Sequence, residues 1–75
     1  MLYPNPTNGQ FNIAGLERGM LITMYDYTGR IISTLISTEE AMQFNISNQA
    51  NGIYLIRIID KDGILVSQNK VIKTQ

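Results

Sequence analysis

Apolar residues recur at every second position in several short stretches of this chain. Phe11 and Ile13 alternate with Gln10 and Asn12. Ile22 and Met24 share one face of the stretch from Met20 to Asp26. Met42, Phe44 and Ile46 alternate with Gln43 and Asn45. A period of two sends successive side chains to opposite faces of an extended backbone, so these stretches predict half-buried β-strands. Ile31 to Ile36 is β-branched and rich in Ser and Thr, and predicts another strand. The strongest segment is Gly52-Ile53-Tyr54-Leu55-Ile56-Arg57-Ile58-Ile59. Tyr54, Ile56 and Ile58 share one of its faces; Ile53, Leu55, Arg57 and Ile59 share the other. With apolar residues on both faces, it is expected at a central position in its sheet. Ile64 to Lys73 supplies the last strand. Thr38-Glu39-Glu40 is cap-like, but no helical apolar period follows it, so residues 37–40 are read as a loop.

The stretches between strands carry turn chemistry. Tyr27-Thr28-Gly29-Arg30 predicts a hairpin turn with Gly29 at positive φ. Asp60-Lys61-Asp62-Gly63 predicts a second, of the Asp-Gly kind, with Gly63 in that role. Gly15 and Glu17-Arg18-Gly19 mark another turn, and residues 47–51 a loop. The head reads Tyr3-Pro4-Asn5-Pro6-Thr7-Asn8-Gly9. Each proline fixes its own φ and pushes the residue before it to extended conformations. Thr7-Asn8-Gly9 adds a turn, with Gly9 free to take positive φ. The head therefore predicts a stiff, extended lead-in. About six to seven short strands at regular spacing, joined by Gly-marked turns, predict an all-β antiparallel sandwich. One domain is expected over residues 1–75, with Tyr3 to Gly9 as its lead-in and residues 10–75 as the sandwich. Its expected core is Phe11, Ile22, Met24, Phe44, Ile46, Tyr54, Ile56 and Ile58.

Composition narrows the function. A chain of 75 residues makes a small core, so stability is expected to be modest. With no Cys and no His, neither a disulfide nor a zinc site can reinforce it. Net charge is zero and charged residues make up 16%, which excludes a bulk basic surface for nucleic acid. No apolar run reaches bilayer length and no signal peptide is visible at Met1. Met1-Leu2 reads as an abrupt start, and any export signal is expected upstream of it.

Candidate chemistry is sparse. Asp60 and Asp62 have the opening spacing of a calcium loop, but Ile64 and Leu65 follow where further ligands belong, and a hairpin explains the same residues. Glu39, Glu40 and Asp26 read as solvated loop carboxylates, with no cleft to make them an acid/base pair. Phe11, Phe44 and Tyr54 fall on core faces and not on a stacking platform for sugars or bases. Tyr25 and Tyr27, flanking a turn, are the aromatics expected to be exposed. Asn45-Ile46-Ser47 matches the glycosylation pattern but lies at a strand end. Lys70 and Lys73 bracket Val71-Ile72, and read either as charges that blunt an exposed strand edge or as a recognition tail. No catalytic residue, metal or cofactor is expected.

Four segments, taken in order, match something more specific: Tyr3-Pro4-Asn5-Pro6-Thr7-Asn8-Gly9, Tyr25-Asp26-Tyr27-Thr28-Gly29-Arg30, Gly52-Ile53-Tyr54-Leu55-Ile56-Arg57-Ile58, and Lys70-Val71-Ile72-Lys73. Together they resemble the C-terminal sorting domain of type IX secretion cargo, also called the Por secretion system sorting domain, over essentially the whole chain. The resemblance implies an Ig-like β-sandwich at the end of a larger secreted protein of a Gram-negative bacterium. It implies that the domain carries an attached N-terminal passenger from the periplasm through the outer-membrane translocon. A sortase-like surface protease then usually removes the domain, and the passenger is released or anchored at the cell surface. The resemblance concentrates partner recognition in Gly52, Tyr54, Ile56, Arg57 and Ile58, and in Lys70, Val71, Ile72 and Lys73. Tyr3, Pro4, Asn5, Pro6, Gly9, Gly29 and Gly63 are left as structural positions, with cleavage expected ahead of Tyr3. Thr74-Gln75 departs from the pattern, since many members stop at or near the terminal Lys. A competing reading is an accessory Ig-like or fibronectin-like spacer, or a glycan-binding module of a secreted enzyme. An unpaired edge strand would also permit a homodimer.

Overall fold

The alternating stretches of the sequence become the strands of the fold. The computed structural model of the protein describes residues 1–74. Its strands are β1 (Leu2–Tyr3), β2 (Gln10–Ala14), β3 (Leu21–Tyr25), β4 (Ile31–Ile36), β5 (Ala41–Asn45), β6 (Gly52–Ile59) and β7 (Leu65–Lys73). They form two antiparallel sheets, ordered β1-β2-β5 and β4-β3-β6-β7, with no helix among the described residues. Hairpins join β3 to β4 and β6 to β7, while the chain changes sheet between β2 and β3, β4 and β5, and β5 and β6. This is the strand arrangement of an Ig-type sandwich, with β2 and β5 in the places of strands B and E and β3, β6 and β7 in those of C, F and G. A tyrosine near the start of strand F, bonded to backbone a few residues upstream, is a further mark of that architecture. Here the Tyr54 hydroxyl donates to the Ala50 carbonyl.

The core lies between the sheets. Phe11 and Phe44 face each other across β2 and β5 and stack with ring centroids 5.4 Å apart. Ile22, Met24, Tyr54, Ile56 and Ile58 close over them from the other sheet, and Ile46 packs just beyond the end of β5. All eight expected core residues are buried. Ile13, Leu16, Met20 and Val71 join them. Leu16 and Met20 flank the turn after β2, where buried Ser37 ties the loop down. Its hydroxyl accepts from the Met20 N–H at 3.0 Å and donates to the Glu17 carbonyl.

One expectation holds and one is corrected. β6 is central, as expected: β3 and β7 pair along its two edges, and its outer face stays open. Ile56 is 0% exposed on the inner face, whereas Ile53 on the outer face is 47% exposed. A two-layer sandwich covers one face of each sheet, and among the described residues nothing lies over the other. The head, in turn, is folded rather than extended. Leu2 and Tyr3 pair with Ile13 and Asn12 in the first sheet. The chain then bends through Pro4 and Pro6, both preceded by cis peptide bonds, and Thr7 forms a parallel bridge with Lys73 in the second sheet. Gln10 returns to the first sheet at the start of β2. Gly9 makes the return possible: its φ is +143°, and a Cβ there would lie 2.9 Å from the Cβ of Ser47.

Candidate functional site

The positions singled out for recognition lie on β6 and β7, and the register of that pair sorts them. Tyr54 stands opposite Val71, Leu55 opposite Lys70, Arg57 opposite Gln68 and Gly52 opposite Lys73. Opposed residues in a sheet share a face. Tyr54, Ile56, Ile58 and Val71 therefore point into the core, where all are buried. Arg57, Lys70 and Ile72 point to the outer face, with Lys70 exposed and the other two half-buried. Lys73 is only 7% exposed, and its Nζ donates to Asn51 Oδ1 at 2.9 Å.

The expected open edge along the last strand is closed at that end. Asn5 Nδ2 donates to the Lys70 carbonyl at 2.6 Å, and Ile72 N–H donates to Asn5 Oδ1 at 3.0 Å. Thr7 N–H continues to the Ile72 carbonyl, and Thr74 N–H to the Thr7 carbonyl, each at 2.8 Å. The Thr7 hydroxyl donates to the Gln10 carbonyl and accepts from Gly9 N–H, which fixes the clasp to β2. Lys70 and Lys73 thus do not guard a free edge here; the head of the chain occupies it. Sequence reasoning missed Asn5 and Thr7 in this role. The one available signal was Asn5 itself, whose amide offers a donor and an acceptor as a peptide group does. Among the described residues, the part of β7 from Leu65 to Asn69 still borders no further strand of the sheet.

Two hairpins close on the same device. Asp26 Oδ1 accepts from Thr28 N–H at 3.0 Å, Thr28 Oγ1 at 2.6 Å and Arg30 N–H at 3.1 Å, and Gly29 N–H donates to the Asp26 carbonyl. Asp60 Oδ1 accepts from Asp62 N–H and Ile64 N–H, both at 2.9 Å, and Gly63 N–H donates to the Asp60 carbonyl. Gly29 and Gly63 take φ of 89° and 83°. The hairpins are where the sequence placed them, and the aspartates are their closing groups. The hydrogen bond from the Thr28 hydroxyl, with lesser help from the backbone and Arg30, holds the Asp26 carboxyl below the usual carboxylate range. Asn45 behaves similarly: its side-chain oxygen accepts from Ser47 N–H and from the Ser47 hydroxyl. Glu39 and Glu40 are exposed, and no group of three or more acidic residues among those described is placed to hold a metal.

The outer face of β3, β6 and β7 forms a shallow groove of about 470 Å³, lined by Tyr25, Tyr27, Ile53, Leu55, Arg57 and Gln68 among others. Tyr27 is 84% exposed, as expected, whereas Tyr25 is half-buried because it ends β3 between two strands. Arg57 lies in the groove with its Nε buried and no hydrogen-bond partner among the described residues. This arrangement offers binding groups and contains no assembly of nucleophile, base and oxyanion donors among the described residues. A family model described as "secretion system C-terminal sorting domain" matches residues 1–74, and the chain belongs to that family. No curated protein matches the chain.

Proposed function

From its membership of the sorting-domain family, we propose that this domain targets an attached N-terminal passenger across the outer membrane through the type IX translocon. The domain is a type IX secretion sorting signal, of a family that is generally non-catalytic. The observation that carries the reading is the family match over residues 1–74. The fold supports it physically. A sorting label must hold one shape whatever passenger precedes it, and the clasp of residues 5–7 on β7 builds the terminal strand into the domain's own sheet. Recognition by the translocon then falls on the outer-face members of the set, Arg57, Lys70 and Ile72. Gly52, Tyr54, Ile56, Ile58, Val71 and Lys73 serve that surface by holding β6 and β7 in register. Removal by a sortase-like protease takes place upstream of β1, whose Leu2 and Tyr3 are already paired with β2.

The test is fusion of the domain to a periplasmic reporter in a strain that has the type IX system. The expected result is reporter outside the cell, dependent on both the domain and the translocon. Reporter retained in the periplasm, with the domain folded, would leave the spacer reading in its place.

A further inference from the structure

Arg57 is the place to look for a partner's chemistry. A guanidinium carries five N–H donors and stays charged at any physiological pH. Across the sheet it faces Thr23 on β3 and Gln68 on β7. Along its own strand the same face carries Leu55 and Ile59. None of these is acidic, and the ion pair found among the described residues joins Arg30 to Asp26, not Arg57 to anything. Asp26 also lines the groove, but its carboxylate is taken up by Thr28 and Arg30. Lys70, opposite Leu55, adds a second positive charge to the face. The groove thus combines a cation whose buried Nε has no acceptor among the described residues with walls of tyrosine and aliphatic side chains.

We propose that this groove docks a segment of a partner protein that carries an Asp or Glu side chain flanked by apolar residues, with Arg57 as the anchor for the carboxylate. A carboxylate is the acceptor whose two oxygens match the guanidinium fork in parallel N–H···O bonds. The flanking apolar side chains cover Ile53 and Leu55 and lie against Tyr25 and Tyr27. Arg and Tyr surrounded by apolar contacts are also the residues that dominate binding at protein interfaces. The inference rests on the sorting reading, in that the partner is the component that receives the domain.

The probe is the peptide acetyl-Ile-Tyr-Glu-Leu-Val-amide, set against the same peptide with Gln for Glu, each titrated into the isotope-labelled domain and followed by NMR. The Glu peptide should shift the Arg57 side-chain Nε–H and the Leu55 and Gln68 amides, and should bind about tenfold or more tightly than the Gln peptide. Arg57→Gln should reduce the Glu peptide to the affinity of its Gln counterpart. Tyr27→Ser, at a position too exposed to affect folding, should weaken both peptides. Equal binding of the two peptides, shifts centred elsewhere, or no shift at millimolar peptide would overturn the proposal. Shifts at Arg57 that grow with protein concentration in the absence of peptide would overturn it too, by making a second copy the occupant. The reporter fusion separates this from the sorting reading. A domain that exports but ignores the peptide refutes the groove alone, and one that binds the peptide but does not export refutes the sorting role alone.

Discussion

Asn5 does with a side chain what a neighbouring strand does with its backbone. Its amide satisfies the Lys70 carbonyl and the Ile72 N–H at once. Because the site is exposed, water can replace those bonds, so Asn5→Ala should cost about 1–2 kcal/mol and lower the thermal midpoint by about 5–15 °C. An unchanged melting curve would mean the clasp contributes nothing. Asn5 could not be read from the sequence in this role, since its partners lie 65 and 67 residues away. Its neighbours, two prolines, announce only local geometry. Asp26 makes a second residue-scale case. Its carboxyl is held below the usual range, so its ionised form is favoured by the native state. That contribution is present above the ordinary aspartate range and is lost as pH falls through the lowered native value. Asp26→Asn should therefore be less stable than the parent near neutrality, with the gap closing in acid. Paired melts across that pH range check it.

At the scale of elements, most strands were legible because each carries at least two inward residues spaced by two. β1 was not, since Leu2–Tyr3 is too short to show any period. The centrality of β6 was legible for an incomplete reason: its apolar outer face marked a strand that stays open to solvent on that side. The groove was half legible. Alternation assigns Arg57 and Leu55 to one face, but bringing Tyr25 beside them takes the β3–β6 register, which no local pattern contains. β7 carries a sharper prediction. Val71 is fully buried and Ile72 is bonded to Asn5 and Thr7, so removing the chain from Lys70 onward should unfold the domain. Circular dichroism should show the sheet signal lost, and a native spectrum would contradict the packing of β7. Loss of export in that variant would then report folding, so single changes at Lys70 are the informative ones. The β6–β7 hairpin carries another prediction. With Asp60 Oδ1 already accepting two backbone N–H groups, millimolar calcium should leave the melting temperature unchanged. A clear rise would overturn its role as a turn-closing group.

The molecule as a whole behaves as a closed circuit. Its head pairs with β2 through β1, then with β7 through Thr7, so the start of the chain is bonded to both sheets. Amide exchange should accordingly treat head and tail as one unit. Removing residues 1–8 should raise exchange at Thr74 and Ile72, whose N–H groups bond to Thr7 and Asn5, while Leu55 and Ile56 in β6 stay protected. Equal protection with and without the head would show that the circuit is open in solution.

The position of β7 also bears on timing. It is the final strand in chain order, yet it supplies Val71 to the core and is the strand the head must grip. Parts of a chain made earlier can begin to fold first, because folding during synthesis runs from the N-terminal side. This domain cannot close until β7 has been made, whatever precedes it. A chain cut off ahead of β7 lacks Val71 in its core and the bonds from Ile72 and Thr74 to the head. The last of these seven strands is therefore the one that secures the segment made first.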